Sequence, residues 1–282
     1  MDPRPIRRVK PDRAAPPPSA EQRGRWPLTV PAVAQLVDEG LELPAGALVL
    51  VGENGSGKST VMELLAVTLG LNPEGGSANV RHRTRASEPE SLGLVVERSP
   101  GASRWGYFLR DETLHGLYSY LEQVGGDRAF HELSHGEAFL EVLTSRAAGK
   151  GIYLLDEPDA ALSFGGSLAL VSHLLALVDR GAQVVVATHS PVVAALPGAT
   201  LLEVGEWGMR PAVWSELELT ESWRQFLGSP RVVPAPPALT GLVSRPRAPA
   251  GCGRGPAGRG RRSARPPARR SAPRSAPRTA PP

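Results

Sequence analysis

The stretch with the clearest chemical potential is Gly52-Glu53-Asn54-Gly55-Ser56-Gly57-Lys58-Ser59-Thr60, which follows the apolar run Ala47 to Val51. Behind it comes Val61 to Ala66, with apolar residues at helical spacing. Strand, glycine-rich loop and helix in that order can cradle a polyphosphate. Backbone N–H groups point inward, the glycines supply positive φ, and the helix N-terminus carries partial positive charge. Lys58 then reaches the β- and γ-phosphates of a nucleotide, and the Ser59 hydroxyl is placed to ligate Mg²⁺. The chain has three lysines, so placing one here is a pointed use of a scarce residue. A plain Gly/Ser connection would need neither the lysine nor this spacing.

A second group of chemical residues lies at the ends of two apolar runs. Ile152-Tyr153-Leu154-Leu155 leads into Asp156-Glu157-Pro158, and Val184-Val185-Val186-Ala187-Thr188 leads into His189. A carboxylate ending a buried strand is held rigidly, and beside a phosphate loop Asp156 completes the Mg²⁺ shell. Glu157 is then the candidate base for an attacking water, with Pro158 expected to keep it extended. Without the phosphate loop, the same Asp-Glu-Pro would simply end a strand.

His131-Glu132-Leu133-Ser134-His135 matches the H-E-x-x-H pattern of zinc proteases, which needs both histidines one turn apart on a helix. Ser134 and Glu137 ahead of Phe139, Leu140, Val142 and Leu143 instead form a capping box. A helix that begins after Ser134 leaves His131 outside it, so zinc proteolysis is set aside.

Positioning these groups requires strands alternating with helices. Strands are expected at 41–43, 47–51, 92–96, 105–109, 151–155 and 183–188, and a hairpin over 200–204 and 209–213. Helices are expected after Lys58 and over 111–124, 138–148, 166–180 and 216–227, and Trp26 to Val33 reads as a strand or edge segment. This is an α/β fold with a mostly parallel sheet flanked by helices, whose sites lie at the strands' C-terminal ends. Trp26, ahead of the phosphate loop, is either a core or rim residue or a stacking platform for adenine.

Charge divides the chain. From Ser229 onward every charged residue is one of twelve arginines, and residues 1–25 hold seven basic and three acidic groups. With a total of +4, the intervening 203 residues must carry −12. The folded part is therefore acidic, unlike a body that tracks a nucleic-acid backbone. The Arg/Pro/Ala-rich tail, 231–282, lacks the apolar content to order itself and reads as disordered. It is a solvated tail, an anion-binding segment able to meet nucleic acid, or the product of a shifted reading frame. Residues 1–25 read as a flexible leader. Cys252 is the lone cysteine, so no disulfide framework is expected. No secretory signal and no run of the ~18 apolar residues that span a bilayer is found, which points to a cytoplasmic protein.

Leu133-Ser134-His135-Gly136-Glu137 resembles the L-S-G-G-Q signature of ATP-binding cassettes. With the phosphate loop before it, and Leu154-Leu155-Asp156-Glu157-Pro158, Ala187-Thr188-His189-Ser190 and Arg224-Gln225-Phe226-Leu227 after it, residues 26–230 resemble one bacterial family. These are stand-alone AAA-family ATPases whose heads are built like ABC and RecF/SMC-type proteins. The resemblance implies a P-loop ATPase that binds ATP and Mg²⁺ and works as an ATP-dependent head-to-tail homodimer. In it, Ser134 and Gly136 of one subunit meet the γ-phosphate bound by the other, and His189 senses that phosphate. His135 departs from the usual glycine, and no glutamine marks the metal-sensing loop, for which Glu112 is a stand-in. The alternatives are an ABC-transporter ATP-binding subunit and a DNA-repair or defence ATPase. The span from Phe108 to Leu133 is too short for a long coiled-coil arm.

Overall fold

The computed structural model describes residues 4–73, 75–77, 92–110, 143–144 and 149–229. Among them the main sheet has seven strands in the order β10-β9-β3-β8-β7-β6-β4. They are β3 (Ala47–Val51), β4 (Gly76–Ser77), β6 (Gly106–Arg110), β7 (Ile152–Asp156), β8 (Gln183–Thr188), β9 (Thr200–Gly205) and β10 (Gly208–Ala212). The five strands from β9 to β6 run parallel, and β10 and β4 pair antiparallel at the two edges.

The central strands are apolar throughout because both faces are covered. Val49 and Val51 point to one side with Leu170, Leu174 and Leu177 of α4 (Phe164–Asp179). Leu48 and Leu50 point to the other, against Val61, Met62 and Leu65 of α3 (Lys58–Leu69). That second face also takes Val33, Leu36 and Val37 of α2 (Pro31–Glu39). The α4 helix is capped by Ser163, whose hydroxyl accepts from the Gly166 N–H. The described helices also include α1 (Ala20–Arg23), α5 (Pro191–Ala194) and α6 (Glu218–Gly228).

Two expectations about the N-terminal part are corrected. Residues 1–25 do not all form a flexible leader: β1 (Ile6–Pro11) pairs antiparallel with β2 (Leu41–Glu42) and β5 (Leu94–Arg98) in a separate three-stranded sheet. Ile6 and Val9 are fully buried, while Lys10 pairs with Glu97 at 2.6 Å on the outer side. A register shift between Ile6 and Arg8 breaks the alternation that would have announced a strand. Gln183 ties this strand to the main sheet. Its side-chain oxygen accepts from the Ile6 N–H at 2.9 Å, and its amide donates to the Ile6 and Pro44 carbonyls, each at 2.8 Å.

The segment Trp26 to Val33 is not a strand. It is a turn leading into α2, with Pro31 in the first helical turn, where its missing N–H costs nothing. The hairpin forms as expected, with its turn at Glu206-Trp207. The helix expected over 111–124, most of that over 138–148, the signature with Ser134 and Gly136, the zinc-like histidines, Glu112 and the tail 231–282 lie outside the described residues.

Candidate functional site

The phosphate loop leaves β3 at Val51 and enters α3 at Lys58. Gly57, the N-cap of α3, has φ +101°, and a Cβ there would lie 2.3 Å from Val30 Cγ1. At Gly52 a Cβ would lie 2.4 Å from the Val204 carbonyl oxygen. Both positions therefore demand glycine for space, and Gly57 for its left-handed conformation as well.

Lys58 is buried, and its Nζ donates to the Gly52 and Glu53 carbonyls at 2.8 and 3.0 Å. It also stands 3.3 Å from Glu157 Oε1. The Ser59 hydroxyl, on the first turn of α3, donates to Asp156 Oδ1 at 3.1 Å. These two oxygens form a pair of the type a hard divalent cation takes. The Ser56 hydroxyl is buried with no hydrogen-bond partner, as expected of a group awaiting a ligand. A cavity of about 560 Å³ opens beside the loop, lined among others by Trp26, Asn54, Gly55, Thr60 and Ala160. Trp26 sits at its rim and is 52 % exposed.

Asp156 ends β7 and is 4 % exposed. Burial pushes its carboxyl up to about 6, against the opposing pull of Arg110 and the Ser59 hydroxyl; the neighbouring charges of Glu157 and Glu63 add to the rise. Glu157 departs from the extended conformation expected ahead of Pro158 and has φ +52°. A non-glycine residue held there stores on the order of 1–3 kcal/mol. Its N–H donates to the Ala187 carbonyl at 2.9 Å, and its carbonyl accepts from the Ala160 N–H. That bracing turns the carboxylate between Lys58 and His189, whose Nδ1 lies against Glu157 Oε2. The next strand is braced too: Thr188 donates to Asp159 Oδ1 at 2.7 Å and accepts from the Ser190 N–H.

The ends of β3, β7 and β8 thus bring together Gly52 to Thr60, Asp156, Glu157 and His189 at the C-terminal end of the parallel strands. Sequence reasoning missed Asp159, and it missed Arg110 with Glu63. The Arg110 guanidinium, at the end of β6, lies 2.7 Å from Glu63 Oε1 and 3.5 Å from Asp156 Oδ2. Arg110 and Asp156 are register partners of adjacent parallel strands, a signal available once the sheet order is known.

A family model described as "AAA domain, putative AbiEii toxin, Type IV TA system" matches residues 72–195. The cytochrome c biogenesis ATP-binding export protein CcmA of Rhizobium meliloti is 34 % identical over 187 residues, covering 59 % of this chain and 88 % of that protein. Two solved structures are similar at 15 % identity: cbiO1 of Clostridium perfringens, part of an ABC transporter complex, and the SMC head domain of Thermotoga maritima. The first has a TM-score of 0.41 over 69 % of this chain and 88 % of that one. The second has a TM-score of 0.39 over 62 % and 93 %. The chain belongs to the ABC-type ATP-binding proteins, and it is an ATPase. Among the described residues no helix is long and apolar enough to cross a membrane.

Proposed function

We propose that the chain is the Mg²⁺-dependent ATP-hydrolysing subunit of a transporter-type assembly, working through a head-to-tail dimer. The carrying observation is the convergence of Lys58, Ser59, Asp156, Glu157 and His189 at the C-terminal end of the parallel strands beside the cavity. The likeness to an export ATP-binding protein over most of that protein's length supports the transporter reading over a self-contained enzyme.

The loop glycines, Asn54, Ser56 and Thr60 cradle the polyphosphate, and Lys58 exchanges its present carbonyl partners for phosphate oxygens. Trp26 offers its exposed face to the base, because an aromatic rim stacks on any purine without needing hydrogen bonds. Ser59 and Asp156 would hold Mg²⁺, which would supply positive charge to the bound polyphosphate. Glu157 accepts a proton from the attacking water, and His189 orients the Glu157 carboxylate and contacts the γ-phosphate. Ser134 and Gly136 of the second subunit complete the site from the other side, as the likeness of their segment to the cassette signature implies.

Glu157→Gln keeps the side chain's shape and removes its basicity. Hydrolysis should fall roughly 10²- to 10⁴-fold while ATP still binds. Trapped ATP should then hold an ATP-dependent dimer, seen by size exclusion with light scattering, that Ser134→Arg abolishes. A monomer at saturating Mg-ATP would sink the dimer. In membranes of the native host, the trapped variant should retain an integral membrane partner in the presence of ATP, and retention only of soluble proteins would refute the transporter reading.

A further inference from the structure

The ion pairs around Asp156 distribute its two oxygens between different neighbours. Oδ1 accepts from the Ser59 hydroxyl at 3.1 Å, and Oδ2 faces Arg110 Nε at 3.5 Å. The Arg110 guanidinium is in turn held more tightly by Glu63, at 2.7 Å through Nη1. All three charged side chains are shielded: Arg110 is 10 % exposed, Glu63 20 % and Asp156 5 % at the side chain. Backbone geometry sets the arrangement. Arg110 and Asp156 are opposite each other in the parallel pairing of β6 and β7. Glu63 stands four residues after Ser59 on α3, so both face the same way, one turn apart.

We infer that Arg110, anchored by Glu63, is the positioning residue of the metal site: it holds Asp156 Oδ2 so that Oδ1 and the Ser59 hydroxyl together face Mg²⁺. This rests on the proposal that Ser59 and Asp156 hold the metal. The physical case is one of rotation and charge. A carboxylate held on one oxygen only by a serine hydroxyl is free to swing about its χ2 bond, and a fixed positive charge 3.5 Å from the other oxygen, an ion-pair contact and not a hydrogen bond, opposes that swing. Without the arginine, Asp156 and Glu63 would lose the cationic neighbour they share, and the repulsion between the two carboxylates would turn Asp156 away from the orientation a metal needs. Because Glu63 is the closer partner, the guanidinium can stay in place when a metal arrives instead of following Asp156 toward it. A purely structural role, pinning α3 to β6, is the competing explanation and makes a different prediction about metal.

The test measures ATP binding by calorimetry in EDTA and at graded Mg²⁺, with Mn²⁺ electron paramagnetic resonance of the nucleotide-bound protein as an independent readout of the coordination sphere. Wild type is compared with Arg110→Gln, with the charge-neutral double variant Glu63→Gln/Arg110→Gln, and with Asp156→Asn. The double variant removes the Glu63 charge together with that of Arg110, so it reports even if Arg110→Gln alone folds poorly. For both arginine variants, ATP affinity in EDTA should stay within about twofold of wild type, while the Mg²⁺ half-saturation point rises roughly 10- to 100-fold, the usual cost of losing a group that orients a metal ligand. The Mn²⁺ spectrum should broaden or lose its protein-bound component.

A half-saturation point unchanged in the arginine variants but raised in Asp156→Asn would overturn the inference and leave Arg110 a structural ion pair. A lowered half-saturation point would overturn it in the opposite sense, making Arg110 a cation that competes with the metal. If Asp156→Asn also left the Mg²⁺ dependence untouched, the metal assignment itself would fall, and the inference with it.

Discussion

Asp156→Asn should make the nucleotide-free protein more stable near neutral pH while removing its metal-dependent function. Asp156 is 4 % exposed, and burial raises its carboxyl to about 6 from an ordinary 3.8. The difference of about two units corresponds to about 3 kcal/mol between the two protonation states. The sign follows from proton counting. Between about pH 4 and pH 6 the folded protein keeps a proton that the unfolded chain has released, so stability contributed by this group falls as pH rises through that window. Above about pH 6 the full penalty of the buried charge remains until a metal offsets it.

Asparagine has no charge to bury and can still accept from the Ser59 hydroxyl. The variant should therefore be more stable than wild type by up to about 3 kcal/mol at pH 7.5, and by almost nothing at pH 4. Urea denaturation in EDTA at both pH values measures this, and the difference between the two proteins cancels the titration of every other carboxyl. Adding Mg-ATP should reverse the order, since only wild type gains the linkage stabilisation of a bound metal nucleotide. A variant less stable than wild type at pH 7.5, or a difference that does not change with pH, would refute the claim that Asp156 is a buried charge that Arg110 offsets only in part.

Two further substitutions probe the frame around that site. Lys58→Ala should cut ATP affinity at least about 100-fold, read by calorimetry, with circular dichroism unchanged, because the ammonium group serves phosphate and the loop carbonyls and not the apolar core. Gln183→Leu should destabilise the fold by about 3 kcal/mol in urea titrations, since it strands the Ile6 N–H and the Ile6 and Pro44 carbonyls in a buried place. Proteolysis should then cut first within residues 4–11.

The parts of the fold that could be read from sequence are those whose burial is two-sided. Ala47 to Val51, Ile152 to Leu155 and Val184 to Ala187 are apolar at every position because helices cover both faces, and no neighbour elsewhere in the chain is needed to recognise them. The small antiparallel sheet is different. Ile6 and Val9 are flanked by Arg7, Arg8 and Lys10, and a bulge shifts their phase. Their partners, near Leu41 and Val96, are remote in sequence, so nothing local distinguishes β1 from a charged leader. At Trp26 to Val33, read as a strand or edge segment, Pro31 instead opens α2 in the one turn where a helix accepts a proline.

The site divides along the same line. Gly52 to Ser59, Asp156, Glu157 and His189 each follow an apolar strand directly, so position in the chain already implies position at the C-terminal end of the parallel strands. Arg110 also follows such a run, Gly106 to Leu109, yet an arginine after an apolar segment is an ordinary strand end, and Glu63 is an ordinary helical glutamate. Only the register of β6 against β7 and the four-residue step from Ser59 convert them into neighbours of Asp156. Glu157 shows the limit of local rules even at a residue the sequence singled out. The proline after it favours extended backbone, but hydrogen bonds with Ala187 and Ala160, the ion pair with Lys58 and the contact with His189 together hold φ at +52°. Non-local contacts that outweigh a local preference are what a strained backbone position requires, since its cost is tolerated only where the surroundings over-determine it.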